Sequence, residues 1–285
     1  MESPFDDEFR RRLEALKRLV ARALAGRGGV GRSTLKERGG RVEFEEHRPY
    51  VAGDDPKDLD WSVYARLETL VVKEFAAPSE AHLLLLVDRS DSMKLWEKER
   101  ALLQLAAALA YLGLASGARV ACVSSRGGSA WVTGVERFSE LLDTLTRLPS
   151  GGVADLPAAV KRAPPAGAGR RTAVLLSDFY EAEETARALA ALRSKGAHLV
   201  CGQILAPEEV SAPDVAAIAL TDAESGEALS LELDAETRTR FSRAADEFIE
   251  ERFRIAGRHG ARLVQVPPAE DLLHRVERVI VGTGR

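Results

Sequence analysis

Runs of mostly apolar residues recur after residue 79, and helical patterns separate them. The runs are 82–88, 118–123, 172–178, 197–205 and 261–266. Strands that are apolar on both faces are typical of the middle of a parallel sheet that helices cover on both sides. The helical patterns lie at about 95–116, 136–147, 155–162, 181–195, 235–257 and 270–281. This alternation predicts the α/β class, with a doubly wound, mostly parallel sheet flanked by helices.

The pattern before residue 79 differs from the rest of the chain. Residues 4–25 carry apolar side chains at spacings of three and four, which predicts an amphipathic helix. Residues 41–50 alternate and 70–75 form a second strand-like run, with a short helix predicted between them at 58–66. The chain is therefore divided into an N-terminal helix at 1–26, a small β-rich subdomain at 27–78 and the α/β domain at 79–285.

Two weaker signals complete the predicted elements. A short strand-like piece lies near 130–132, and 218–220 and 229–233 look like the arms of a hairpin. Residues 26–40 hold six glycines and no apolar periodicity, which predicts a loop.

Composition and charge narrow the possible functions. The net charge is −4 over 285 residues, and no basic excess favours nucleic acid. No stretch reaches the ~18 continuous apolar residues that a membrane span needs, and the acidic start lacks the apolar core of a signal peptide. We therefore expect a cytoplasmic protein without a membrane span. Cys122 and Cys201 lie inside apolar runs, where buried small hydrophobes are expected rather than a disulfide.

Acidic residues stand at the ends of two of the most apolar runs. The first run ends with Asp88, followed by Ser90 and Ser92, and the second ends with Asp178. Ligands of open α/β sheets bind at the carboxyl ends of the strands, and carboxylates and hydroxyls suit Mg²⁺. The pattern therefore predicts a cation site. The alternative reading is that both serines cap the following helix and that Asp88 is exposed.

The segment Asp88-Arg89-Ser90-Asp91-Ser92-Met93 resembles the metal-ion-dependent adhesion site of von Willebrand factor A domains. Residues 40–75 resemble the bacterial and archaeal family of domain of unknown function fifty-eight. The resembling segments are Glu43-Phe44, Arg48-Pro49-Tyr50, Gly53-Asp54-Asp55, Leu59-Asp60-Trp61, Tyr64-Ala65-Arg66 and Val72-Lys73-Glu74-Phe75. The resemblance implies a β-rich insert, an A-type domain, no established catalytic activity, and an association with MoxR-type AAA+ ATPases.

The resemblance has one gap at its second loop. The adhesion site takes a threonine there, whereas this chain has Val153 or Ala154 at that position, without a side-chain oxygen. Asp155 or a water is expected to fill the place. The predicted ligands of Mg²⁺ or Mn²⁺ are therefore Asp88, Ser90, Ser92, Asp178 and Asp155, and binding is expected to be weak or absent.

The preferred function is that of a non-enzymatic protein-interaction module. Its binding surface is predicted at loops 88–94, 150–156 and 178–183, here called the strand-end face. The predicted partner contacts are Asp91, Met93, Phe179 and Tyr180, and the predicted partner is a MoxR-type AAA+ ATPase or its client. Two alternatives stay open: a metal-dependent hydrolase that uses Asp88 and Asp178, and a scaffold with a vestigial metal site.

Overall fold

The computed structural model describes residues 4–26, 43–50, 59–61, 63, 67, 69–76, 80–213, 215, 217–221 and 228–282. The chain divides into two compact units, of which the smaller is Gly28–Glu80 and the larger joins Met1–Arg27 with Ala81–Arg285. The N-terminal helix, which was predicted as a segment of its own, thus belongs to the larger unit. Most of the predicted glycine-rich loop and most of the predicted helix at 58–66 lie outside the described residues.

The helices are α1 (Asp7–Gly26), α2 (Lys98–Ala115), α3 (Phe138–Arg147), α4 (Leu156–Arg162), α5 (Ala182–Ser194), α6 (Pro207–Val210), α7 (Ala235–Arg258) and α8 (Leu272–Val281). The strands are β1 (Glu43–Pro49), β2 (Val71–Ala76), β3 (His82–Val87), β4 (Arg119–Ser124), β5 (Gly127–Gly128), β6 (Arg171–Ser177), β7 (His198–Gln203), β8 (Ala217–Thr221), β9 (Ala228–Glu232) and β10 (Ala261–Gln265). Short 3₁₀ turns lie at Ser92–Lys94 and Val135–Arg137.

The smaller unit contains an antiparallel pair of strands. β1 pairs with β2, and the register shifts between Phe44 and Glu46 as in a β-bulge. Leu59 forms an isolated bridge with Val72, and the backbone N–H of Asp60 donates to the carbonyl of Val71. The segment around residue 59 therefore runs against β2.

A six-stranded sheet organises the described part of the larger unit, in the order β10-β7-β6-β3-β4-β5. All neighbours are parallel except β5, which pairs antiparallel with β4. β4, which follows β3 in the chain, lies on one side of β3. The next parallel strand, β6, lies on the other side of β3. The predicted α/β class with a mostly parallel sheet is confirmed, and the point where the strand order reverses lies at β3.

Helices cover both faces of this sheet. The core on one face joins Leu85 and Leu176 of the sheet to residues of α1, α2, α3 and α8. The other core joins Leu86 and Leu175 to residues of α4, α5 and α7. Successive strand residues thus point into opposite cores, which explains why the middle of each of these strands is apolar on both faces.

The two cysteines belong to different cores. Cys122 lies in the first core and Cys201 in the second, and both are free thiols. Burial raises the pKa of each thiol to about 12. Their placement agrees with the expectation of small buried hydrophobes.

Some boundaries differ from the predictions for local reasons. The predicted helix at 95–116 begins only at Lys98, because Trp96 and Glu97 have left-handed backbone angles with φ of 47° and 61°. The predicted strand at 130–132 is wrong in extent: Val132 forms only an isolated bridge with Val120. β5 and α6, two and four residues long, were missed because such short elements show no periodicity.

The predicted hairpin corresponds to β8 and β9, which pair antiparallel. The turn predicted between them, around residues 224–226, lies outside the described residues. Among the described residues, no helix combines the length and the apolar character needed to cross a membrane.

Candidate functional site

The two strands that are directly followed by an aspartate, β3 and β6, lie side by side. β3 pairs in parallel with β6, with Val87 opposite Leu176, and the backbone N–H of Asp88 donates to the Leu176 carbonyl over 2.9 Å. Asp88 and Asp178 follow these strands directly and are 4% and 1% exposed. Both acids therefore lie at one edge of the sheet, at the point where its strand order reverses.

Hydrogen bonds hold both oxygens of the Asp88 carboxylate. Oδ1 accepts from the backbone N–H of Ser90 at 2.9 Å, and Oδ2 accepts from the Ser177 hydroxyl at 2.6 Å. Burial raises the pKa of Asp88, and the charge of Asp178 raises it further, whereas the bonds from Ser177 and Ser90 oppose these effects. The Asp178 carboxylate thus lies close enough to Asp88 to disfavour the ionised form of Asp88.

Ser90 and Ser92 lie beside Asp88 and are buried. Their Oγ atoms are 3.0 Å apart and form one hydrogen bond. Neither serine caps α2, whose N-cap residue is Glu97 without a side-chain capping bond. The two hydroxyls therefore face each other, and the helix-capping alternative is not what the structure shows.

The second carboxylate is paired with a lysine that the sequence patterns did not single out. Lys98 Nζ lies 2.9 Å from Asp178 Oδ2 and 2.5 Å from Glu209 Oε1, and Lys98 is 0% exposed. The ammonium also lies 5.5 Å from the centre of the Tyr180 ring. The Tyr180 hydroxyl donates to the same Glu209 oxygen at 2.8 Å. A buried ion network therefore joins the start of α2, the loop after β6 and α6.

The loop at 150–155 packs against the loop after β3 through its backbone. Gly151 N–H donates to the Arg89 carbonyl, Asp91 N–H donates to the Gly152 carbonyl, and Gly152 N–H donates back to Asp91 Oδ2. Bonds from the Lys94 ammonium and from Gly152 lower the pKa of Asp91. Asp91 thus fastens two loops together.

Asp155 has a capping role in the structure. Its Oδ1 accepts from the backbone N–H of Ala158 at 2.8 Å, as the N-cap of α4 does. Val153, at the position where the resemblance implies threonine, is 64% exposed. Its side chain has no oxygen.

The predicted partner-contact residues differ in exposure. Met93 and Phe179 are fully buried, so their side chains belong to the interior. Asp91 and Tyr180 reach the surface. Phe179 has a left-handed φ of 60°, and the buried guanidinium of Arg252 donates to the carbonyls of Phe179 and Tyr180. A partner on this face would meet Asp91 and Tyr180, with Met93 and Phe179 acting as internal support.

Exposed apolar side chains lie in the loops that follow β3 and β6 and in the loop before α4. We call them the apolar rim: Leu95, Trp96, Val153 and Tyr180. Trp96 is 46% exposed although it is the bulkiest side chain of the four. Its left-handed backbone, together with that of Glu97, places this indole in the loop directly before α2.

The donor set fits a divalent cation only in part. The 3.0 Å between the serine hydroxyls matches adjacent ligands of an octahedral ion with bonds of about 2.1 Å. Against this fit, Asp178 is already paired with Lys98, Asp155 caps a helix and Val153 offers no oxygen. In the described ranges, no group of three His, Cys, Asp or Glu side chains is arranged to hold a metal ion. As a whole, these residues do not fit a tightly held divalent ion, and binding of Mg²⁺ or Mn²⁺ stays a prediction.

Comparison with known proteins yields a family and several relatives of undescribed function. The family described as protein of unknown function DUF58 matches residues 46–251. The uncharacterized proteins Rv1480 of Mycobacterium tuberculosis (strain ATCC 25618 / H37Rv) and Mb1516 of Mycobacterium bovis are each 29% identical over 251 residues. Each match covers 84% of this chain and 79% of the relative.

Two solved structures resemble parts of the fold. One is an aerotolerance-related membrane protein from Bacteroides fragilis, with a TM-score of 0.44 and 13% identity, covering 70% of this chain and 96% of that one. The other is the conserved hypothetical protein BatB from Bacteroides thetaiotaomicron, with a TM-score of 0.39 and 14% identity, covering 62% and 99%.

Proposed function

The chain belongs to the family of proteins of unknown function DUF58, and from this premise we propose that it is a non-enzymatic protein-interaction module of von Willebrand factor A type. Its docking surface is the strand-end face together with the apolar rim. The partner would cover the rim and contact Asp91 at the edge of the buried carboxylates.

One observation carries this proposal: strained backbone and exposed apolar side chains coincide at the same loops. Within the described residues, the non-glycine residues with left-handed φ are Trp96, Glu97 and Phe179, and all three lie in the loops after β3 and β6. Such backbone costs of order 1–3 kcal/mol per residue and concentrates at functional sites. The exposed Trp96 indole is what a protein interface uses as an anchor.

The chemistry of the site favours binding over catalysis. A hydrolase would need a general base or nucleophile with a free, activated group. The Asp88 carboxylate is hydrogen-bonded on both oxygens, and the Lys98 ammonium is held by two carboxylates. The serine hydroxyls bond to each other rather than to a base. These contacts support a role in recognition.

The proposed partner is a MoxR-type AAA+ ATPase or a client of one. Support for this choice comes from the resemblance of the segments at 40–75 and 88–93, which implies such an association. The rim also suits a partner protein, because aromatic side chains are enriched where protein surfaces meet.

The test is a binding measurement between the purified full chain and a purified MoxR-type ATPase from the same genome. Trp96→Ala should weaken binding about 30-fold, since a tryptophan that anchors an interface contributes about 2 kcal/mol or more. Ile280→Ala is the matched control, because the Ile280 side chain is also exposed. The Ile280 carbonyl accepts from Arg262 near the amino end of β10, so this residue lies away from the strand-end face, which is formed at the carboxyl ends of the strands. Equal binding by Trp96→Ala and wild type would reject the docking surface.

A separate assay addresses the hydrolase alternative. The purified chain is incubated with phosphate-ester and peptide substrates, with and without Mn²⁺. Metal-stimulated turnover that Asp88→Ala removes would reject the non-enzymatic function. We expect no turnover that depends on Asp88.

A further inference from the structure

Lys98 lies where two general rules disfavour a lysine. It is the first residue of α2, where the positive end of the helix dipole favours acids rather than bases. Its side chain is also fully buried, and a buried ammonium is costly unless it is paired. A lysine held against both rules requires specific compensation.

Two carboxylates and one aromatic ring provide that compensation. The Asp178 and Glu209 oxygens lie 2.9 Å and 2.5 Å from Nζ, and both acids are nearly fully buried. The Tyr180 ring presents its π-electrons 5.5 Å away. The three residues come from the loop after β6 and from α6, and Lys98 comes from α2. The ammonium is therefore the positive centre around which these loops meet.

We propose that the Lys98 ammonium is the resident cation of the strand-end face and balances the charge of Asp178 in place of a divalent metal ion. The protein keeps this face in its binding shape without Mg²⁺ or Mn²⁺. This assignment concerns the charge of the site and stands whether or not the proposed partner binds.

The geometry around Asp178 explains why a divalent ion is excluded. An ion bonded to Asp178 would lie next to the ammonium, in a buried site where water and salt screen their repulsion poorly. The loop at 150–155 does not supply the missing ligands of a divalent ion, because the Val153 side chain has no oxygen and Asp155 Oδ1 accepts from the Ala158 N–H. Ser90, Ser92 and Asp88 alone leave most of the coordination shell to water.

The same network connects the lysine to the apolar rim. The Tyr180 hydroxyl donates to Glu209 Oε1, the oxygen that also contacts Lys98. Loss of the ammonium would leave the Asp178 and Glu209 carboxylates facing each other without compensation. Repulsion between these two carboxylates would then displace Glu209 and weaken the hydrogen bond that it accepts from the Tyr180 hydroxyl.

The experiment measures the melting temperature of the full chain and its binding of Mn²⁺. Wild type is expected to melt at the same temperature in EDTA and in millimolar MgCl₂ or MnCl₂, and the electron paramagnetic resonance signal of Mn²⁺ should remain that of the free ion. Lys98→Ala should melt at a lower temperature in EDTA. Mn²⁺ should raise that temperature, because Asp178 and Glu209 are then left without their cation.

Lys94→Ala is the matched control. Lys94 belongs to the same loop, but its ammonium is partly exposed and pairs with Asp91. This variant should melt like wild type and should ignore Mn²⁺. A Lys98→Ala variant that melts like Lys94→Ala would overturn the proposal.

The wild-type protein gives a decisive result even if Lys98→Ala does not fold. Bound Mn²⁺ in wild type that the double substitution of Ser90 and Ser92 by alanine removes would overturn the proposal. Lys98→Arg keeps a positive charge, so it should fold and should remain insensitive to Mn²⁺. None of these readouts requires the partner protein, and failure of the cation assignment is thus distinct from failure of the docking surface.

Discussion

The Ser177 hydroxyl donates a 2.6 Å hydrogen bond to Asp88 Oδ2, and this bond joins the ends of β6 and β3. The same hydroxyl accepts from the backbone N–H of Phe179 at 3.0 Å. Ser177 is fully buried. One small side chain thus holds a buried carboxylate and fixes the left-handed turn that follows β6.

Replacing this serine should therefore be costly. Ser177→Ala leaves Asp88 Oδ2 and the Phe179 N–H without their partner, so we expect the free energy of unfolding to fall by about 1–3 kcal/mol. Urea denaturation measures this difference. The control is Ser194→Ala, because the Ser194 hydroxyl is exposed and bonds only to the Ala191 carbonyl of its own helix. A loss no larger than in the control would show that the Ser177 bond contributes little.

The raised pKa of Asp88 has a consequence for pH dependence. Burial and the Asp178 charge both favour the protonated form in the folded state. Between the unfolded value of 3.8 and the raised folded value, the folded state binds more protons, so stability falls as the pH rises through that window. Asp88→Asn cannot ionise, and it should lack this decline.

The measurement compares the free energies of unfolding of wild type and Asp88→Asn from pH 3 to pH 8. The difference should shift in favour of Asp88→Asn as the pH rises. Asp246→Asn removes an exposed acid of α7 and serves as the control. A difference that stays constant with pH would contradict the raised pKa.

The edge of the sheet that carries the site was predictable because the parallel strands leave a clear sequence pattern. Residues 83–87 and 173–176 are apolar on both faces, and the strands that contain them are directly followed by Asp88 and Asp178. Parallel strands in one sheet end at the same edge, so two acid-tipped strands are expected there together. The sequence could not show that the strands are adjacent, since pairing depends on the order in which the whole sheet assembles.

The partners of Asp178 were not predictable for a different reason. Lys98 and Glu209 are separated by 111 positions, and each belongs to a charged segment at the start of a helix. Charged residues at such places are mostly exposed, so their sequence pattern predicts side chains that face solvent. The inward-facing Lys98 directly follows two residues with left-handed backbone, Trp96 and Glu97. That conformation is uncommon for residues other than glycine, and these residue types do not reveal it in the sequence.

Substitutions of Asp155 distinguish a helix-capping role of this residue from a role as a metal ligand. The structure uses its side chain to cap α4, so Asp155→Ala should lower the free energy of unfolding by about 0.5–2 kcal/mol. Asp155→Ser keeps a capping oxygen and should recover most of this loss. Chemical denaturation of the three proteins measures both effects. A metal ligand would behave differently: both variants would then lose a Mn²⁺-dependent rise in melting temperature that wild type shows.

Arg252 is expected to hold the loop after β6 through the shape of its guanidinium. Nε and Nη2 donate to the Phe179 and Tyr180 carbonyls at 2.5 Å and 2.6 Å, and the guanidinium lies 4.4 Å from the centre of the Phe248 ring. A lysine ammonium cannot reproduce this planar fork. Arg252→Lys should therefore lower the free energy of unfolding by about 1.5–3 kcal/mol, the range for hydrogen bonds to charged groups.

Hydrogen exchange locates the effect of Arg252→Lys. The amides of residues 179–181 should exchange faster than in wild type, because the loop loses the two bonds that fix its carbonyls. Arg243→Lys changes an exposed arginine of the same helix and should leave both stability and exchange unchanged. If Arg252→Lys lowers global stability while exchange at 179–181 stays as in wild type, the loop is held by the Ser177 bond to Phe179 and not by the guanidinium.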